Sequence, residues 1–146
     1  NLKEIITLNA KKLSILIEDS AAFEVAQRSR GTPRIAIRLL KRIVDFSVVE
    51  DSSHIGINTV LKSLEQMRID NEGLDEMDRK YLRCISNDYN GGPVGVETLS
   101  AALLEQRDII EDVIEPYLMQ RGLVQRTSRG RILSKKGQSH ISKEFE

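Results

Sequence analysis

The chain has 146 residues, enough for one ordinary domain or two small ones. Apolar residues make up 40% and charged residues 30%, with 22 basic side chains balancing 22 acidic ones, the profile of a globular protein with a large solvated surface. Aromatics at 4%, no Trp and one Cys exclude a disulfide framework and any cysteine-based zinc site, and they disfavour a β-sandwich or barrel.

The first predicted helix covers residues 2–12, with Leu2, Ile5 and Ile6 on one face. A second starts at Asp19 or Ser20, either of which can accept hydrogen bonds from the orphan amides of a helix start. It carries Phe23, Val25 and Ala26 and stops at Gly31. A third follows at once. Thr32 is a good N-cap, and Pro33 suits the first turn, where a missing N–H costs nothing. Ile35, Leu39 and Ile43 then recur every four residues. Asn58 opens a fourth helix through Val60, Leu61, Leu64 and Met67. Residues 1–70 thus read as a four-helix domain, and the polar run RIDNEGLD (68–75) marks its boundary.

The pattern changes over residues 71–146. Asp75 or Asp78 starts a helix carrying Met77, Tyr81, Leu82 and Ile85. Gly91, Gly92, Pro93 and Gly95 form a loop that cannot be helical. Val96, Leu99, Ala102 and Leu103 make a short helix ending near Glu105. Asp108 caps the next, which carries Ile109, Val113, Leu118 and Met119 and ends at Gly122. Pro116 lies inside it and is expected to kink it, because it cannot bond the carbonyl of Asp112. Residues 123–127 and 131–134 alternate around Ser128-Arg129-Gly130 as strand, turn and strand, and a last short helix covers 135–141. Three helices followed by a β-hairpin describe a winged helix. The fold class is therefore mainly α: a four-helix domain, then a winged helix with a short hairpin.

The zero net charge hides an uneven distribution. Residues 1–70 carry +2, residues 71–122 carry −6 and residues 123–146 carry +4. Any nucleic-acid contact is expected from the basic end. There Arg126, Arg129 and Arg131 cluster on the hairpin with Gly130 at its turn, and Lys135 and Lys136 follow. Such a hairpin can lie along phosphates; the plain alternative is a solvated basic loop. The helix over 108–121 looks unsuited to a DNA groove, since Asp108, Glu111, Asp112 and Glu115 stand against Arg121 alone. Removing the charge of Glu111 or Glu115 is accordingly expected to leave DNA affinity unchanged or raise it.

In the first half, Arg34 occupies the second helical position, where its side chain leans past the helix end. The helix dipole disfavours a cation there unless an anion sits in front, which Arg34 and the free amides would bind together. A solvated arginine is the simpler alternative. The remaining features carry less. Cys84 and the three tyrosines read as packing residues, and His54 and His140 have no obvious partner and are too far apart for a metal site. GGPVG lacks the lysine of a phosphate loop and reads as a turn. No apolar run approaches the roughly 18 residues of a membrane span and no signal peptide opens the chain, so no membrane and a cytoplasmic setting are expected. The start at Asn1, without Met, is expected of a fragment.

The runs AQRSRGTPRIAIRLLKRIVDF, MDRKYL, GGPVGVETLSAAL and IEDVIEPYLMQRGLVQRTSRGR, in this order over nearly the whole chain, resemble the RuvB family of bacterial Holliday-junction branch-migration ATPases. The resemblance implies that family's small helical AAA+ lid followed by its winged-helix head. It also implies a large ATPase domain upstream, since no GxxxxGK[ST] loop, acidic Walker B strand or arginine finger occurs here. By the same likeness Arg34 is the sensor 2 residue that reaches ATP phosphates, with Mg held by the missing domain. Arg126 and Arg131 are the DNA-binding pair of the wing, with Arg129 between them. The family usually has Pro where this chain has Ser128.

The implied function is the C-terminal part of an ATP-dependent DNA helicase or translocase that drives branch migration in recombination and repair. The implied partners are Holliday-junction and duplex DNA, a RuvA-like junction-recognition protein and the other subunits of a homohexamer. The fragment alone is expected to be inactive. Three other readings compete: a non-enzymatic winged-helix regulator, an origin-binding or clamp-loading AAA+ module, and a protein-interaction domain using the acidic face of 97–115. A phosphate-facing Arg34 favours the motor over a regulator.

Overall fold

The computed structural model describes residues 1–49 and 54–144. The chain divides into two compact units, Asn1–Asp75 and Glu76–Glu146.

The first unit contains α1 (Leu2–Lys12), α2 (Asp19–Gln27), α3 (Pro33–Val49) and α4 (Ile57–Gln66). Asn1 caps α1, its side chain accepting from the amides of Lys3 and Glu4 at 2.9 and 3.4 Å. Thr32 caps α3 as its sequence position predicts, with Oγ1 accepting from the amide of Ile35 at 3.2 Å. The four helices close over Ile6, Ala10, Ala22, Val25, Leu40, Ile43, Val60 and Leu64, all fully buried. The inner face of α2 is Ala21, Ala22 and Val25. Phe23, read from the sequence as part of the apolar face, is 55% exposed instead.

Two features of this unit escaped the sequence reading. Strands β1 (Leu16–Ile17) and β2 (His54–Ile55) pair in parallel, and two residues each are too few for any alternation to show. The N-cap of α2 is Glu18, not Asp19 or Ser20, and its side chain makes no capping bond. It turns instead to His54 Nε2, 2.9 Å away. That hydrogen bond, with the amide of Ile57 helping, holds the Glu18 carboxyl below its usual range. His54 therefore does have a partner.

Residues 68–75 are a closed loop, not an open tether. Asp70 Oδ1 accepts from the amides of Glu72 and Leu74 at 2.9 and 3.0 Å. The amide of Asp70 donates to Leu74 O, and that of Gly73 to Asp70 O, both at 3.0 Å. Leu74 is fully buried.

In the second unit α5 (Glu76–Arg83) widens into a π-helical turn at Cys84–Asp88, and α6 (Val96–Leu103) ends at Leu104 in the left-handed conformation. The predicted third helix has three parts: α7 (Arg107–Ile109), a π-helical turn (Ile110–Ile114) and α8 (Glu115–Gln120). Pro116 thus lies in the first turn of α8, where no N–H is needed, and the π turn before it absorbs the change of register. Leu82, Ile85, Leu99, Ile110, Leu118 and Leu123 are fully buried here.

The hairpin is β3 (Val124–Thr127) against β4 (Gly130–Leu133), followed by α9 (Lys135–Glu144). GGPVG is more than a turn: it lays a third extended segment along β4. Arg131 N donates to Val94 O at 2.7 Å, Val94 N to Arg131 O at 3.0 Å, and Leu133 N to Gly91 O at 2.9 Å. The approach demands glycine. A Cβ on Gly92 would lie 2.3 Å from Arg131 O, and one on Gly130 would lie 2.6 Å from the Val94 carbonyl.

Candidate functional site

Arg34 is the second residue of α3 and is exposed. The first turn of that helix holds no acidic side chain, so its positive end is not offset from within. Thr32 takes the Ile35 amide, and the Ala36 amide bonds Thr32 O at 3.1 Å. An anion in front of the helix would meet the guanidinium and the dipole together, so the residues present fit a phosphate. They do not supply a Mg²⁺ cage: among the described residues no three His, Cys, Asp or Glu come together.

The hairpin register sets Arg126 directly opposite Arg131. Cross-strand partners share one face of a ribbon, and like charges facing each other there are destabilising. The face they share is turned toward α8, and Glu115 supplies the counter-charge. Arg131 Nε lies 2.7 Å from Glu115 Oε2 and Nη2 lies 3.0 Å from Oε1, a two-pronged pair. Arg126 Nη2 reaches Oε1 at 3.3 Å. From α5, Tyr81 donates its hydroxyl to Oε2 at 2.5 Å. Tyr81 and Glu115 are fully buried and Arg131 is 8% exposed.

This arrangement separates the two arginines that sequence had placed together on DNA. The side chain of Arg126 is 52% exposed, whereas that of Arg131 is 10% exposed. Arg129, at the turn, is exposed, and its amide donates to Thr127 Oγ1 at 3.2 Å. Thr127 Oγ1 in turn donates to Gly130 O at 2.7 Å, so a side chain closes the turn that holds Ser128. Lys136 Nζ bonds Arg121 O at 3.0 Å, and Lys135 is exposed.

The ionisation of the cluster follows from its contacts. Burial pushes the Glu115 carboxyl up, but hydrogen bonds from Arg131 and Tyr81 and the charge of Arg131 outweigh it, leaving the carboxyl below its usual range. Hydrogen bonding to Glu115 raises Arg131. Burial, with the adjacent carboxylate, drives the Tyr81 phenol far up, so it remains a donor.

The acidic helix therefore differs from the expectation at its most important position. Asp108 and Asp112 are exposed and Glu111 is half-buried, but Glu115 faces inward. It opposes no phosphate, and neutralising it cannot act by relieving a surface repulsion. Part of the signal lay in the sequence, and the register supplies the rest. Two arginines fixed opposite each other need an acid, and Glu115 borders the Ile110, Ile114, Leu118 stripe. At the surface, Arg107 bridges Glu97 and Glu111 at 2.5 Å each.

Comparison with known proteins places both units. The family model "RuvB AAA lid domain" matches residues 1–70, and "RuvB C-terminal winged helix domain" matches residues 71–142. The chain is 52% identical over 140 residues to the Holliday junction branch migration complex subunit RuvB of Paramagnetospirillum magneticum, covering 96% of this chain and 40% of that protein. The corresponding subunit of Orientia tsutsugamushi strain Boryong is 49% identical, with 96% and 43% covered. Among solved structures, the Thermotoga maritima RuvB Holliday junction branch migration motor superimposes with a TM-score of 0.92 at 50% identity, over 97% of this chain and 47% of that one. The chain thus spans less than half the length of these relatives. No helix among the described residues is long and apolar enough to cross a membrane.

Proposed function

The chain belongs to the RuvB family, and from that premise we propose that it is the lid and DNA-engaging head of an ATP-driven motor that moves Holliday junctions. The observation that carries this reading is the match of both units, in order, to the two RuvB-family domains. ATP, with its Mg²⁺, is held by a larger ATPase domain, and Arg34 adds the lid's contact to its phosphates. Hydrolysis shifts the lid, and the head passes that shift to duplex DNA. The working unit is a cytoplasmic homohexamer acting with a RuvA-like partner that recognises the junction. These two units alone hydrolyse no ATP, because phosphoryl transfer needs a phosphate cradle and metal ligands that they do not encode.

Within the wing, Arg126 and Arg129 make the phosphate contacts, and Arg131 acts by fixing the wing through Glu115. The exposure of the first two and the burial of the third support this division. Contacts to phosphate carry little sequence information, so DNA sequence preference is slight.

The test uses the full-length parent enzyme on four-way junction DNA. Arg34→Ala is expected to lower ATP-driven migration roughly 10- to 100-fold, the worth of one charge-assisted contact to phosphate. Unchanged ATPase and migration would remove Arg34 from the nucleotide site. Arg126→Ala/Arg129→Ala is expected to weaken duplex binding about equally for all sequences. It should also flatten the salt dependence by close to one unit of log–log slope per lost phosphate contact. A double variant with the parent's affinity and slope would dismiss the wing as the contact.

A further inference from the structure

Two arginines in the turn before the Arg34 helix reach across more than forty residues to hold the loop by which the chain leaves the first unit. Arg28 Nη1 donates to Ile69 O at 3.1 Å, and Arg30 Nε donates to Gly73 O at 3.1 Å. Neither is a loose surface contact. The Arg28 side chain is 12% exposed and is braced by Glu24, with Nε at 2.9 Å and Nη2 at 2.7 Å from the same carboxylate oxygen. Arg30 holds the left-handed conformation, φ 56°, followed by Gly31 at φ 72°. A non-glycine residue in that region costs energy, which its surroundings must offset.

Both ends of this link are stiff. On one side, Thr32 N bonds Ser29 O at 3.0 Å, and Thr32 then caps α3, so residues 28–32 and the helix start that carries Arg34 form one hydrogen-bonded block. On the other, the two held carbonyls bracket the loop closed by Asp70, and Ile69 packs on the core. A displacement at the front of α3 therefore has a direct route to the backbone of residues 69–73 through two hydrogen bonds from charged donors.

We propose that Arg28 and Arg30 are coupling residues: they tie the nucleotide-facing turn to the exit loop, so that a nucleotide-driven shift of α3 moves the chain leading into the head. The proposal rests on the motor reading above, and the two fail separately. Both arginines are positioning residues, since neither is placed at the phosphate or on DNA.

The experiment compares the full-length parent enzyme with Arg28→Ala/Arg30→Ala, measuring phosphate release and migration of a four-way junction on the same sample. The double variant is expected to hydrolyse ATP near the parent rate while migration slows about tenfold, so that ATP consumed per base pair rises by that factor. Arg30→Lys, which retains a donor and a charge, should restore part of the coupling relative to Arg30→Ala. Amide hydrogen exchange guards against simple misfolding. In the parent, ATP should change the exchange of the Glu72 and Leu74 amides, and in the double variant it should not, with exchange in α1 and α4 unaltered. The parent's ATP cost per base pair in the double variant, or amides at 72 and 74 that ignore nucleotide in a parent that binds it, would overturn the coupling proposal. A parent enzyme that neither hydrolyses ATP nor moves junctions would overturn the motor reading instead.

Discussion

The two units are held together by different physics. In the first, the buried polar residues among those described are Ser29, Ser47 and Ser63, whose hydroxyls donate to backbone carbonyls three or four residues back. In the second they are Asp78, Arg79, Glu115 and Arg131, all of them ionisable. A serine bonded to its own chain asks nothing of its neighbours. A buried carboxylate must have its cations in place, and they come from other elements: Arg131 and Arg126 from the hairpin, with Tyr81 from α5. The lid's fully buried core can therefore be assembled by apolar contact, with charged pairs such as Arg28–Glu24 at its margin. The head is assembled by apolar contact and by a charge arrangement that is correct only when α5, α8 and both hairpin strands have met.

The contrast is sharpest at Glu115. Glu115→Gln leaves Arg131 buried without its counter-ion, which is expected to cost the head about 3–5 kcal/mol. DNA affinity should fall with it as the wing loosens, the opposite sign to that of relieving a surface repulsion. Urea denaturation of the two-unit chain and a parallel DNA titration would check both, and a stable variant with raised affinity would put Glu115 back on the surface. The lid's counterpart is Leu40→Ala, which removes a fully buried side chain at about 2–5 kcal/mol. That loss should be the same at pH 7 and pH 4, because no titrating group is involved.

Tyr81→Phe deletes one hydrogen bond to a buried carboxylate and should cost about 1.5–3 kcal/mol. Acid provides a gentler probe of the same cluster. The folded Glu115 carboxyl lies below its usual range, so its contribution is complete above the unfolded-state pKa of about 4.3. As pH falls through the folded value, the proton binds the unfolded chain first and that stability is lost. Melting followed by residue-resolved NMR between pH 6 and pH 3 should therefore show the head weakening before the lid, where Glu18 is also held low but is solvent-exposed and contributes little. Simultaneous loss would mean that the buried charges do not set the difference. The smallest effect is expected at Arg34→Ala, an exposed residue whose loss should move stability by no more than about 0.5 kcal/mol.

The same contrast explains what could be read in advance. The lid's helices were legible because period-four apolar residues and a Thr-Pro start state their positions locally, as at Thr32, Pro33, Leu39 and Ile43. The failures there were local too. Two-residue strands carry no period, and Phe23 looks like core until the small inner face of Ala21 and Ala22 is seen. In the head the hairpin and its turn were legible from Gly130 and the flanking alternation. The direction of the arginines was not, because a charge in a sequence is assumed to face water. Only the register, with Arg126 opposite Arg131 on the face toward α8, shows that one of them had to be neutralised inside. Arg34 was legible for the opposite reason: its place depends on the helix start alone.

The glycines at 92 and 130 carry a mechanical consequence. Because no side chain at 92 or 130 holds the 91–95 segment away from β4, β4 is bonded at Arg131 and Leu133 to an extended segment of the head. A tug on the wing along the strand direction is thus carried as shear by the reciprocal Arg131–Val94 bonds and the Leu133–Gly91 bond together, and they must give way as a group. Prying the hairpin off sideways would break them one after another. A wing loaded along its strands is best anchored in the first manner, and a side chain at Gly92 or Gly130 would force those bonds apart.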